Sequence, residues 1–320
     1  IKISRIRRFK LNNNINMKNL LKTIFLFVSI NAACQQETYY SLYQYNMHVI
    51  NPAFAGTQDG DLITILNRNQ WAGIEGAPKT LSMSYSRPMG NNVGLGASIV
   101  SDKVFIEQQT FAYIDFSYKL QVEENTTMFL GLKAGGSFYR ADAMDLNRYS
   151  DIPDPSQSAL SSFNPNIGIG AYATRDNHWV SISIPRLFNT KRSDDLAVTA
   201  KDRPHVYIGG GSEFPINEDF SVKPSLMFRK VKGLPLSTDI TSFVSYQNKY
   251  DLGFSIRTKA AFSVMMFLPQ IYEGFDLGYA YESPTSSRLS ETGNKAHEII
   301  LRIKLGSRPD SKSGPQSTQQ

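Results

Sequence analysis

Glu273-Gly-Phe-Asp-Leu-Gly-Tyr-Ala-Tyr-Glu282 sets the reading of the whole chain: Phe275, Leu277, Tyr279 and Tyr281 alternate with Gly274, Asp276, Gly278, Ala280 and Glu282. Successive side chains of a strand point to opposite faces. A period of two therefore predicts a strand with one apolar face and one small or charged face. The same alternation recurs in Asn92–Ile99 (Val93, Leu95, Ala97, Ile99), Asp251–Arg257 (Leu252, Phe254, Ile256) and Glu298–Leu305 (Ile299, Leu301, Ile303, Leu305). Alternation alone also fits a two-sheet sandwich. The minor face separates the two readings, because it carries Lys133, Lys223, Arg229, Arg257, Arg302 and Lys304. Those residues suit a wet lumen better than a dry core.

Extended along the chain, the pattern predicts strands at about 61–68, 79–86, 92–101, 107–120, 127–140, 164–173, 177–185, 203–213, 219–230, 235–246, 249–257, 260–268, 270–281 and 296–305. Fourteen is even, as single-chain bacterial outer-membrane barrels require. Most of these segments are long enough to cross a hydrocarbon layer at a tilt. The connections test the idea independently. The four longest, about 69–78, 141–163, 186–202 and 282–295, all follow odd-numbered strands, and those after even-numbered strands, such as Arg87–Asn91 and Gln247–Asn248, are short. Long outer loops and short periplasmic turns characterise a transmembrane barrel, whereas a sandwich has no reason to sort loop length by parity. The predicted fold is all-β: a transmembrane antiparallel barrel of about fourteen strands over residues 61–306.

Composition narrows the function. The 320 residues are 41% hydrophobic and 19% charged, with 19 Phe and 16 Tyr, which excludes a disordered chain. A net charge of +6 invites a nucleic-acid partner, but seven of the basic residues lie in the first 33 positions, which hold no acid. The remainder is close to neutral, so nucleic-acid binding loses its electrostatic support. Met17-Lys-Asn-Leu-Leu-Lys22 followed by Thr23–Ile30 and the small residues Ala32 and Ala33 has the layout of a secretory signal peptide, 17–33. Residues 1–16 then read as an over-extended gene start. Cys34, the single cysteine, excludes a disulfide framework. It follows Ala32-Ala33 as the lipidated cysteine of a lipoprotein would, although Asn31 stands where an aliphatic residue is usual. Lipidation at Cys34 and ordinary cleavage nearby both remain open.

No catalytic, cofactor-binding or metal site is expected. His48, His178, His205 and His297 are far apart and lack metal-ligand spacing, and no GxSxG, P-loop or HExxH occurs. Gly209-Gly-Gly211 sits within a strand pattern, where it reads as close packing. Residues 34–60 are rich in aromatics (Tyr39, Tyr40, Tyr43, Tyr45, Phe54) and end in the turn-forming Asn51-Pro-Ala-Phe-Ala-Gly56. They predict a periplasmic segment or a plug in the barrel mouth. Across the first outer connection, Trp71 is a candidate interface anchor. Arg68 and Gln70 are candidates to hold that loop, and all three are candidate partner contacts. The residues after 306 read as a flexible polar tail, 307–320.

At several of these places the chain resembles a known family. Asn51-Pro-Ala-Phe-Ala-Gly56, Arg68-Asn-Gln-Trp71 with Gly76-Ala-Pro-Lys-Thr80, Leu95-Gly-Ala-Ser-Ile-Val-Ser-Asp-Lys103, Lys230-Val-Lys-Gly-Leu-Pro-Leu236, and Gly278-Tyr-Ala-Tyr-Glu282 with His297-Glu-Ile-Ile300 are similar, in order and spacing, to the PorP/SprF family. The resemblance runs from about residue 40 to 305. It implies a non-enzymatic barrel, without cofactor, in the outer membrane of a Gram-negative bacterium, with its loops at the cell surface. It further implies an accessory role in type IX secretion, serving the export or surface anchoring of a cargo of the gliding-adhesin type. Implied partners are outer-membrane lipid, a cargo with a C-terminal type IX sorting domain, and other components of the system. A channel or transporter for small or hydrophobic solutes is the alternative that a barrel of this width allows.

Overall fold

The computed structural model describes residues 39–141, 160–191, 201–285 and 295–307. The expectations for residues 1–33, for Cys34, for the tail beyond Ser307 and for the middles of three long connections lie outside the described residues.

Among the described residues, fourteen strands form the barrel: β1 Gly60–Gln70, β2 Lys79–Gly90, β3 Val93–Val104, β4 Glu107–Glu123, β5 Thr126–Ala141, β6 Leu160–Arg175, β7 His178–Ile184, β8 His205–Ser212, β9 Phe220–Val231, β10 Ser237–Tyr246, β11 Tyr250–Arg257, β12 Ala261–Tyr272, β13 Phe275–Pro284 and β14 Ala296–Ser307. Each strand pairs antiparallel with its sequence neighbours, and β1 pairs with β14 along its whole length, from Gly60 opposite Ser307 to Gln70 opposite Ala296. The sheet is therefore a closed up-and-down barrel. Phe214–Pro215 adds a two-residue rung to β9, and Thr190–Lys191 pairs with Lys201–Asp202 outside the ring.

All fourteen predicted strands are present. The largest boundary difference falls between β12 and β13, where the expected break near residue 269 is a bulge between Leu268 and Tyr272. The turn comes later, at Glu273-Gly274, where Gly274 takes the positive φ (77°) that the reversal needs. Pro269 has no N–H to give to a ladder, so irregular pairing is tolerated there without a lost bond.

Two ends of the barrel are distinct. Connections after even strands are tight: Asn91 and Asn92 (φ 51° and 64°), and Gln247 and Asn248 (φ 50° and 52°), supply consecutive left-handed residues of the kind that two-residue hairpins use. The connections 71–78, 142–159, 185–204 and 285–295 follow odd strands, and the strands that they join leave off and resume at the opposite end. We refer to these as the short-turn end and the long-loop end.

The outer face is oily, as the alternation predicts. Ile99, Ile114, Leu132, Val180, Leu252, Val264 and Ile299 are among the many large apolar side chains exposed on it. For a lipid-embedded barrel, a Leu132→Lys substitution near the middle of β5 is expected to cost about 2–4 kcal/mol, read as a lower urea midpoint for unfolding from lipid vesicles.

Candidate functional site

Inside the barrel the minor face meets a plug. Residues 39–57 descend through the interior as a short irregular segment with a 3-10 turn at Tyr43–Tyr45, one helical turn at Met47–Ile50 and a second 3-10 turn at Pro52–Phe54. Leu42, Asn51, Ala53 and Ala55 are fully buried. Asn51 organises its lower part. Its Nδ2 donates to the Ala171 carbonyl (3.0 Å) and to Ser181 Oγ (2.9 Å), and its Oδ1 accepts from the Ala53 N–H (2.9 Å), capping the turn begun by Pro52. Gly94 of β3, Gly131 of β5 and Gly170 of β6 face this turn. A β-carbon on them would collide with Ala55, Ala53 and Asn51 respectively. The strand wall is thus cut away to seat the Asn51–Gly56 motif.

Serine fills much of the remaining polar face. Ser82, Ser84 and Ser86, at period two on β2, are buried, as are Ser181, Ser183 and Ser225. They are small enough to leave room for the plug and supply hydroxyls to it: Ser86 Oγ accepts from the Gly56 N–H (2.7 Å), Ser183 Oγ donates to the Ile50 carbonyl (3.0 Å) and Ser117 Oγ donates to the Ala55 carbonyl. Tyr45 stacks on Phe267 (3.6 Å between ring centroids) and donates its hydroxyl to Asp251 (2.9 Å).

Toward the long-loop end a charged network grips the start of the plug. Arg68 is 2% exposed and bridges Glu282 (2.6 Å) and Glu298 (3.1 Å). Arg68 and Glu298 stand opposite each other on β1 and β14, so this pair lies on the seam that closes the barrel. Glu298 also accepts the backbone N–H groups of Ser41 (3.0 Å) and Leu42 (2.8 Å). Arg257 pairs with Asp239 (2.8 Å), its cross-strand partner, and with Glu282 (3.1 Å). The Tyr39 ring lies beside the guanidinium groups of both Arg229 and Arg257, with centroid distances of 3.1 and 4.0 Å. Lower down, Lys133 and Asp115 face each other across β4 and β5 at 3.1 Å, and His48 of the plug reaches the same Asp115 (3.0 Å).

Several sequence expectations change here. Arg68 does not hold the outer loop; its place in the β1 pleat turns it inward, where Glu282 and Glu298 neutralise it. Gln70 ends β1, half-buried, and its backbone N–H donates to the Pro78 carbonyl (3.0 Å). Trp71 starts the outer connection with a left-handed φ of 54° and is 39% exposed. The three candidates therefore do not converge on one surface. Lys133, Arg229 and Arg257 do lie on the inner face, but packed and paired around the plug, so this part of the lumen is filled. Of the two readings given for residues 34–60, a periplasmic segment or a plug, the described part from Tyr39 to Thr57 packs inside the barrel. The sequence reading named the interior cations and missed their acids (Asp115, Asp239, Glu282, Glu298), although Glu282 and Glu298 sit in quoted motifs on the minor face. The serine alternation at 82, 84 and 86 was a second available signal.

A cavity of about 40 Å³, lined in part by Gln44, His48, Thr64, Ser84 and Arg302, has room for a few waters. Among the described residues no group of His, Cys, Asp and Glu has a metal-binding arrangement. His178 Nδ1 and Ser212 Oγ are 2.7 Å apart, but exposed at the short-turn end.

Fold and interior together define a plugged transmembrane β-barrel. Its family is shown by sequence: residues 32–303 match the model for "Type IX secretion system membrane protein PorP/SprF", and the chain belongs to that family. Fold and family together point to the outer membrane. No protein with a curated description matches. Among solved structures, the Acinetobacter baumannii outer membrane protein Omp33 aligns at 8% identity over 78% of this chain and 100% of its own, with a TM-score of 0.45. A Pseudomonas aeruginosa FadL homologue aligns at 10% identity over 80% and 93% (TM-score 0.44). The CymD monoaromatic hydrocarbon channel aligns at 13% identity over 80% and 91% (TM-score 0.45). At that level of likeness, the fold rests on the strand pairing above.

Removing a partner from a buried ion pair leaves an uncompensated charge. Glu298→Ala is expected to destabilise the barrel by about 3 kcal/mol, measured by urea unfolding, the low end applying because Arg68 keeps Glu282. A Gly131→Val substitution is expected to unseat the Asn51–Gly56 turn, read as new protease cleavage between residues 39 and 57 in the solubilised, still heat-modifiable barrel.

Proposed function

We propose that this protein is a non-enzymatic accessory barrel of the type IX secretion system, required for export or surface anchoring of a particular cargo, with recognition at the long-loop end. The observation that carries the reading is the plug, residues 39–57, seated inside the barrel. A barrel of fourteen strands is wide enough to conduct unless something occupies it, and here a structured segment does, held by buried ion pairs and main-chain hydrogen bonds. The working surface is then an end of the barrel. The long-loop end, taken as the cell-surface side, offers the larger and more varied one.

Cargo of the gliding-adhesin type, carrying a C-terminal sorting domain, fits this role through family membership. Main-chain pairing to loop strands and contacts with exposed aromatics such as Trp71 are the recognition chemistry available there. A solute channel is the competing reading, and the plug weighs against it.

Two measurements test the proposal. In planar bilayers the intact protein is expected to be silent, and a variant lacking residues 39–57 to conduct; steady conductance by the intact protein would favour the channel. In cells, deleting the gene is expected to abolish surface display of its cargo while other type IX substrates are still exported. Normal display of every such substrate in the deletion strain would refute the accessory role.

A further inference from the structure

Four outward side chains stand in one row where β2–β5 reach the long-loop end. Lys79 begins β2, Lys103 lies one residue from the end of β3, and the two are direct cross-strand partners. Lys103 pairs in turn with Gln108 on β4, and Gln108 with Arg140 on β5. All four are exposed, while their neighbours Thr80, Gln109 and Tyr139 are buried on the inner face, so the row faces outward. At about 4.8 Å between strands it spans about 14 Å. Beneath it on the same face lie Leu81, Ile99 and Phe138, all exposed. Among the described residues, the outward positions of these strands between the row and mid-barrel carry no acid, and neither lysine has an ion-pair partner. Arg87, outward at the short-turn end of β2, does have one in Asp61 (3.4 Å).

We infer that this row binds the phosphates of a phosphorylated glycolipid, of the lipid A type, packed against the outside of the barrel. Like charges set directly opposite on neighbouring strands repel each other. A phosphate placed between Lys79 and Lys103 turns that repulsion into charge-assisted hydrogen bonds, and Arg140 continues the line of positive charge. The apolar band beneath decides the class of anion. A soluble nucleotide or an acidic peptide would leave Leu81, Ile99 and Phe138 uncovered, whereas acyl chains hanging below a phosphorylated head cover them. A row of about 14 Å is longer than one glycerol phosphate needs, and it suits a sugar head carrying more than one phosphate. That the lipid leaflet at this end is the outer one rests on the orientation proposed above; the phosphate site itself does not.

The test adds lipid to the full-length protein in nonionic-detergent micelles and counts bound molecules by native mass spectrometry. The probes are diphosphoryl lipid A, the same lipid with its phosphates removed, and phosphatidylglycerol. The native protein is expected to bind diphosphoryl lipid A about thirtyfold more tightly than the dephosphorylated form, the equivalent of two lysines at a charged lipid surface. Lys79→Gln combined with Lys103→Gln is expected to lose that preference, and each single variant to lose part of it. Lys79→Arg combined with Lys103→Arg is expected to keep it, as is Arg87→Gln at the other end. Only variants that retain heat-modifiable migration, the mark of a folded barrel, are compared. Equal binding of the two lipid A forms, or a preference untouched by glutamine at both lysine positions, overturns the site. Phosphatidylglycerol bound as tightly as diphosphoryl lipid A overturns the choice of a glycolipid. The readout needs neither a membrane side nor a cargo, so the lipid site and the secretion role fail separately.

Discussion

A backbone N–H or C=O facing hydrocarbon without a partner costs several kcal/mol, and a sheet in a membrane escapes that cost only by having no edge. The pairing of β1 with β14, eleven rungs from Gly60 to Gln70, is therefore the constraint on which the rest depends. It commits every strand to one face toward lipid and one toward the interior, and it brings Arg68 opposite Glu298. Without closure neither the oily exterior nor the enclosed charges would be tolerable.

Closure then creates a second problem, a wide interior lined by polar residues. This chain solves it with its own N-terminal segment. Glycines at 94, 131 and 170 remove bulk where the plug backbone passes, alternate serines supply hydroxyls, and cations are matched by acids across neighbouring strands. Buried ion pairs are weak evidence for net stability, because desolvation offsets much of their attraction. Their specificity is clearer, since Glu298 accepts two plug amides as well as Arg68, which fixes one placement of the plug. An apolar interior of the same volume would hold the segment without choosing its register.

With a plug in the lumen, the proposed role in secretion looks to the ends of the cylinder. The asymmetry between tight turns at one end and long connections at the other gives the barrel two chemically different ends, and surface loops on rigid scaffolds commonly carry function. Family membership supplies the secretion context, and the plug accounts for why a barrel of this width need not be a pore.

The sequence alone determined the strands, their number and the two ends, because alternation and loop parity are local properties that need no knowledge of what lies opposite. Glu273–Glu282 is a strand whatever packs against it. The Asn51–Gly56 motif was likewise visible as a turn, but its seat was not, since the glycines that accept it lie 38 to 119 positions further along the chain. Arg68 was misread for the same reason: near a loop in sequence, it is turned inward by the pleat and neutralised by acids more than 200 residues away. Only the tertiary structure decided that residues 39–57 pack inside the barrel and in which direction they run there. Those properties depend on which side chains meet across a closed sheet, and periodicity along one strand carries no record of that meeting.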